Sequence, residues 1–315
     1  MNPAFSVILL TTLIGAAQGL FLALYTLEVH AWLVLLPPAQ GVAMPVVGSV
    51  VALALLAAGL LASFFHLGRP ERAWRTATCW RTSWLSREVI VLPAFMASVA
   101  LWGAMHALGA GSDPTLLVGA AATLLAFALF YCTGMIYACI RFLAEWATPL
   151  TPLNYTLLGS ASGFTLAAAL AAWLEPQRVE FLAGWAIILT LTAAVFRGAA
   201  LWRNARLVPR STTQTAIGIK HPQIVQKSMG FMGGSFNTRE FFHGVAQRRY
   251  RLVRPAFLVL TFVLPVLLLA GGLGTASVML LGAAFTVQYV GLLAERWFFF
   301  AQARHPQNLY YQAVA

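Results

Sequence analysis

Apolar residues in this chain fall into eight long runs, and that pattern leaves few choices of fold. The runs cover residues 5–36, 42–67, 87–108, 115–143, 150–174, 181–201, 255–271 and 275–300. About 20 apolar residues in α-helix cross the ~30 Å hydrocarbon layer of a bilayer. Backbone in that layer finds no water, so its N–H and C=O groups must pair within their own helix. The sequence therefore predicts an all-α polytopic membrane protein: about eight transmembrane helices in a bundle, with 1–315 as a single integral membrane domain. Composition points the same way, with 60% of residues hydrophobic and 9% charged; soluble chains carry about 25% charged residues. Several runs exceed the minimum length and are expected to tilt or extend beyond the hydrocarbon. Between them lie Pro37-Pro38, Gly111-Ser112-Asp113-Pro114, Thr148-Pro149, Glu175-Pro176 and Gly271-Gly272, residue types that end helices and start turns. The seventh run is the weakest, because Pro265 lies inside it and glycines at 271, 272 and 274 blur its end. No repeat of 20–50 residues is visible, which excludes a solenoid.

The net charge of +11 is not read as a nucleic-acid footprint, because the basic residues sit in the short gaps between apolar runs. Threading the runs alternately puts loops 68–86, 144–149 and 202–254 on one face, together with both termini. That face collects Arg69, Arg72, Arg75, Arg81, Arg87, Arg141, nearly every basic residue from 203 to 254, Arg296 and Arg304, while the opposite face has only Arg178. Short loops rich in Lys and Arg stay in the cytoplasm. The expected setting is a bacterial inner membrane, with both termini and the large loop cytoplasmic. An odd number of spans would overturn this.

Cys79, Cys132 and Cys139 form no CxxC pair and no Cys/His set with metal spacing. An iron–sulfur cluster normally needs four thiolates, so none is expected in this chain, and there is no CxxCH haem-attachment site. The cysteines read as small packing residues. The first apolar run lacks a basic n-region and is far too long for a signal peptide, so it reads as a retained span.

The densest chemistry lies between the second and third runs. Phe64-Phe65-His66-Leu67-Gly68-Arg69-Pro70 ends one run, a loop holding Trp74, Trp80 and Trp84 follows, and Ser86-Arg87-Glu88 opens the next. Hydrocarbon tolerates ionisable groups badly, so those at the rim of a span usually have a function. Helices joined by a short loop are antiparallel neighbours, which lets His66 and Glu88 face one cavity. Converting a quinone to a quinol moves two electrons and two protons and needs groups that exchange protons near neutrality, as His does. A nearby carboxylate raises the imidazole pKa and relays its proton. Trp74, Trp80 and Trp84 are suited to stack on the ring, and Arg69 and Arg72 to hold an anion or a lipid phosphate. The plainer readings stand beside these: tryptophans of an interfacial belt, and a Glu88 paired with Arg87 or Arg69.

Loop 202–254 is the one sizeable piece outside the membrane and carries Gly230-Phe231-Met232-Gly233-Gly234-Ser235-Phe236-Asn237-Thr238-Arg239-Glu240-Phe241-Phe242-His243-Gly244. Phe231, Phe236, Phe241 and Phe242 with Arg239 and His243 suit a cytoplasmic partner-docking loop, because aromatics and Arg are enriched at interface hot spots. The competing reading is a loop that folds back on its own helix ends. The run Gln247-Arg248-Arg249-Tyr250-Arg251 reads as an orientation and lipid-headgroup anchor.

Glu28, His30 and His106 fall toward the outer ends of spans one and three. Two histidines at similar depth are a possible b-haem pair, and Glu28 a possible proton group. Gln18, Gln288, Tyr131 and Tyr289 are expected to hydrogen-bond between helices. Glu145 and Glu295, beside Trp146 and Arg296, are expected at the inner headgroup level.

Across His66-Leu67-Gly68-Arg69-Pro70-Glu71-Arg72-Ala73-Trp74 and Trp80-Arg81-Thr82-Ser83-Trp84-Leu85-Ser86-Arg87-Glu88, the chain resembles the DmsC family, membrane anchors of dimethyl sulfoxide reductase and related molybdopterin oxidoreductases. The likeness implies an anchor with no redox centre of its own. It would bind quinone (ubiquinone or menaquinone) near a four-cluster iron–sulfur subunit, which exchanges electrons with a molybdopterin catalytic subunit. It places the quinone-site His and Glu on His66 and Glu88, with Gly68 and Arg72 in the loop between. The long glycine- and phenylalanine-rich loop looks more like the sulfite dehydrogenase anchors of the family (SoeC) than the shorter reductase anchors. That likeness implies a subunit of a sulfite:quinone oxidoreductase-type complex. The sister reading, a quinol-oxidising reductase anchor, uses the same pocket in reverse. An ion or solute transporter built around Glu28 and a haem-bearing cytochrome b subunit are the other classes the residues leave open.

Overall fold

The computed structural model describes residues 1–37, 41–65, 67–209, 211–228 and 240–311. Among these residues, eight helices are long and apolar enough to cross a membrane: α1 (Phe5–Trp32), α2 (Ala43–Phe64), α3 (Trp84–Ala107), α4 (Ser112–Ala138), α5 (Leu150–Leu174), α6 (Val179–Ala205), α7 (Gln247–Leu273) and α8 (Val278–Ala301). Among the described residues there is no β-strand. The expected all-α architecture and the count of eight spans both hold.

The helices do not share the interior equally. In α1, 78% of the apolar stretch is buried inside the protein, and in α5 67%, against 28–39% in the other six. Lipid tails are as apolar as leucine, so hydrophobicity does not choose which helices sit at the centre; close packing does. Gly15 and Gly19 of α1, and Gly159 and Gly163 of α5, stand four residues apart and face one another. A Cβ built on Gly15 would lie 3.5 Å from the Gly159 Cα, and one on Gly19 would collide with the Gly159 carbonyl. These two G-x-x-x-G pairs let two backbones meet where any side chain would hold them apart. They are plain in the sequence, although the hydropathy pattern does not reveal them.

Span seven tolerates Pro265 through a change of helical pitch. A π-helical turn at Val259–Val263 precedes it, and π-turns commonly absorb such interruptions. Pro265 has no N–H to donate, and the Thr261 carbonyl one turn earlier accepts instead from Gln288 Nε2 of α8 at 3.4 Å. The same amide donates to Thr190 Oγ1 of α6 at 3.0 Å. Gln18 reaches the Ala126 carbonyl of α4 at 2.8 Å, and the Tyr289 hydroxyl pairs with Thr12 of α1 at 3.1 Å. The interhelical role expected of Gln18, Gln288 and Tyr289 is therefore present. Tyr131 instead packs edge-on against Trp84, with ring centroids 5.3 Å apart.

Boundaries shift at the polar rims. Span two ends at Phe64 and span three begins at Trp84, so the intervening loop keeps its expected length but lies three residues earlier in the chain than hydropathy suggests. The run from Gln247 is already helical, which trims the large loop to 206–246. With eight spans, the start of α1 and the end of α8 come together: Met1 N donates to the carbonyls of Ala301 (3.4 Å) and Ala303 (2.9 Å).

Candidate functional site

The loop from 67 to 83 is largely a 3₁₀ segment, Pro70–Cys79. Ser83 caps α3 by accepting from Ser86 N at 3.3 Å. Ser86, Arg87 and Glu88 then point in three directions. Ser86 Oγ donates to the Thr76 carbonyl at 2.5 Å. Arg87 donates from Nε to the Trp80 carbonyl and from a terminal nitrogen to the Arg81 carbonyl, both at 2.9 Å, while its guanidinium lies 4.1 Å from the Trp84 ring centroid. Glu88 turns inward. The first two therefore lash the loop to the helix, and the third is left for the interior.

Glu88 is only 7% exposed and accepts a hydrogen bond from Thr133 Oγ1 of α4. It lines a cavity of about 20 Å³ with Thr12 and Gln18 of α1, Thr133, Tyr155 of α5 and Arg296 of α8. The other described candidates remain outside. Gly68, Arg69 and Arg72 are exposed, as are Trp74 (67%) and Trp80 (53%). Arg72 pairs with Glu71 at 3.8 Å in solvent, a contact worth little. The structure thus separates a buried carboxylate from a rim of exposed Arg, Trp and the apolar Phe64 and Phe65 that end α2. His66, the principal candidate in the sequence, lies outside the described residues.

Of the docking candidates, Phe231, Phe236 and Arg239 also lie outside the described residues. Phe241 stacks on His305 (3.7 Å between centroids), and its carbonyl accepts from Asn308. His243 stacks on Tyr250 at 4.9 Å. This end of the loop folds back on the chain, with Phe242 half-buried beside it.

Three charged residues lie where the sequence reading does not put them. Glu295 and Arg296 are not at headgroup level: they are 1% and 4% exposed, inside the bundle. Arg197 of α6, 2% exposed, joins them; its Nε lies 2.6 Å from Glu295 Oε1, and Arg296 Nε lies 3.0 Å from Oε2. The one signal available was Arg197 itself, a cation within an apolar run with no use at the surface. At the opposite end of the bundle Glu28 accepts from Trp102 Nε1 (2.8 Å) and Thr115 Oγ1 (2.5 Å) and lies 3.4 Å from His106 Nε2. His30 instead contacts the Thr26 carbonyl at 2.8 Å and packs on Phe181. His106 and His30 are thus each engaged by protein groups, not by one another.

Comparison with known proteins fits this architecture. The family model described as "DMSO reductase anchor subunit (DmsC)" matches residues 1–302. The chain is also 56% identical to a sulfite dehydrogenase subunit of Allochromatium vinosum, over the whole length of both chains. Eight apolar spans, a basic Trp-rich loop closed by Ser86-Arg87-Glu88, and a match running nearly end to end lead to one conclusion: this chain belongs to the DMSO reductase anchor subunit (DmsC) family of membrane proteins.

Proposed function

We propose that this chain is the quinone-binding anchor of a three-subunit molybdopterin/iron–sulfur oxidoreductase and couples sulfite oxidation to quinone reduction. The observation that carries the quinone site is the seat of Glu88. A carboxylate buried near the start of a spanning helix, with a hydroxyl partner and a cavity beside it, is costly in hydrocarbon and suits proton exchange. The exposed rim where α2 ends and α3 begins, outside that cavity, suits a flat, greasy ring: Phe64, Phe65, Trp74 and Trp80 offer apolar and stacking surface, and Arg69 and Arg72 offer positive charge. Quinone supplies a two-electron, two-proton acceptor. His66 and Glu88 would hold its ring oxygens and manage their protons, and the loop pinned by Arg87 would keep the rim in place. The coupling to sulfite rests on the full-length likeness to a sulfite dehydrogenase subunit. The positive-inside rule puts the basic loops and both ends of the chain in the cytoplasm. There the large loop, with Phe231, Phe236, Arg239, Phe241, Phe242 and His243, would receive a four-cluster iron–sulfur subunit bound to the molybdopterin subunit.

The test uses the assembled membrane complex with His66→Ala and Glu88→Gln. Sulfite oxidation with ferricyanide as acceptor, which bypasses the quinone site, is expected to persist. Sulfite-dependent quinone reduction is expected to fall by about 10²-fold or more, the usual worth of a positioned acid–base group. Wild-type quinone turnover in both variants would refute the site. The family's description favours one second reading, an anchor that oxidises quinol for a reductase. Quinol-driven sulfoxide reduction by the same complex, without sulfite-driven quinone reduction, would select it.

A further inference from the structure

We infer that protons reach Glu88 through the interior of the bundle, along two cavities joined at Arg296, and that they come from the face carrying the basic loops. The inference deepens the proposed quinone site: each quinone reduced takes two electrons from the iron–sulfur partner and two protons, and Glu88 must be reloaded after giving one up.

Beyond the 20 Å³ cavity at Glu88 lies a second of about 10 Å³, lined by Glu145, Thr151, Asn154, Arg197, Asn204 and Glu295. Arg296 lines both, with its guanidinium 3.8 Å from the Tyr155 ring centroid. Each volume is on the order of a single water site. The second cavity asks for water on independent grounds. Asn154 Oδ1 and Arg197 Nη2 are fully buried and reach no hydrogen-bond partner among the described residues, and buried polar groups in native proteins rarely stay unsatisfied. Glu145 and Asn204, both half-buried, stand at its outer end in the connection after α4 and at the end of α6, where the basic loops emerge.

Electrostatics permits the passage. Two guanidiniums (Arg197, Arg296) face two carboxylates (Glu145, Glu295) around the second cavity, so a proton meets no net charge there. Arginine does not release its own proton; Arg296 orders water between the cavities and carries none itself. The charged and titratable groups facing the inner cavity are Glu88 from α3, Tyr155 from α5 and Arg296 from α8, while α1 contributes Thr11, Thr12 and Gln18 and α4 contributes Thr133. Exposed loop residues are not needed as carriers.

The test follows the Glu88 carboxyl stretch by infrared difference spectroscopy after a pH jump on the solubilised complex. The band is identified by its loss in Glu88→Gln, and no quinone is added. Asn154→Leu fills the second cavity and is expected to slow proton equilibration at Glu88 by about tenfold, with quinone kcat falling and KM unchanged. Should Asn154→Leu fail to assemble, Tyr155→Phe, which keeps the ring beneath Arg296 and removes the hydroxyl, decides the matter in the same way. Equilibration at the wild-type rate overturns the route. The proposed quinone site is judged separately, because it fails only if Glu88→Gln and His66→Ala reduce quinone normally.

Discussion

Glu295 shows how far a residue's neighbours in space depart from its neighbours in sequence. It stands in Ala294-Glu295-Arg296-Trp297, a string with the look of a headgroup rim. Yet its two oxygens are held by guanidiniums 2.6 and 3.0 Å away, one from the adjacent residue and one from α6. Breaking a buried pair from one side leaves charge stranded, at a cost of about 3–5 kcal/mol. Glu295→Leu strands two arginines and should sharply lower the thermal unfolding midpoint of the detergent-solubilised protein. Pairing it with Arg197→Met should recover part of the loss, because buried ion pairs replaced together by apolar groups are often tolerated. Glu88 was legible as a site from its place at the start of an apolar run. That Thr133 and the Arg296 cavity receive it was not, since both come from helices distant in sequence.

At the scale of elements, the return of the large loop into α7 is the segment where the two sequence readings divide. His243 stacks on Tyr250, and burial, with the nearby amino terminus, holds its imidazole pKa below the ordinary 6.5. A lowered histidine pKa means that the docked form prefers the neutral ring. The contact is therefore fully present above about pH 6.5 and weakens as pH falls through that value toward the lowered one. Amide hydrogen exchange across 240–246, corrected for intrinsic rate, should be slower at pH 8 than at pH 5.5, and His243→Phe should abolish the difference. Equal protection at both pH values would remove His243 as the fastening. Span seven makes the complementary point. Pro265 weakened it as a predicted helix, and a π-turn with a glutamine from α8 resolves the difficulty. Only a neighbouring helix supplies that remedy.

For the whole molecule, the open quantity is sidedness. Eight spans bring both ends of the described chain to the face of the basic loops, and the positive-inside rule predicts a cytoplasmic location for that face. Exposed Cys79 sits in the 3₁₀ loop of that face, and exposed Gln177 lies between α5 and α6 on the other. With Cys132 and Cys139 replaced by alanine, a membrane-impermeant maleimide should label Cys79 in inverted vesicles and not in spheroplasts. Gln177→Cys in a Cys79→Ala background should show the reverse. The opposite pattern would turn the protein over and move the large loop outside. The sequence alone determined that the chain spans a membrane eight times as helices, because a bilayer forces every apolar run of sufficient length to satisfy its own backbone. It also marked the basic, tryptophan-rich turn before Glu88, because charge at a membrane rim is conspicuous against hydrocarbon. Only the tertiary structure decided that α1 and α5 form the centre, that Arg197 meets Glu295, and that Glu88 opens onto a cavity shared with Arg296. Those outcomes depend on which helices approach closely enough to touch, and close approach is set by small residues and paired polar groups across the bundle, which a local hydropathy pattern does not register.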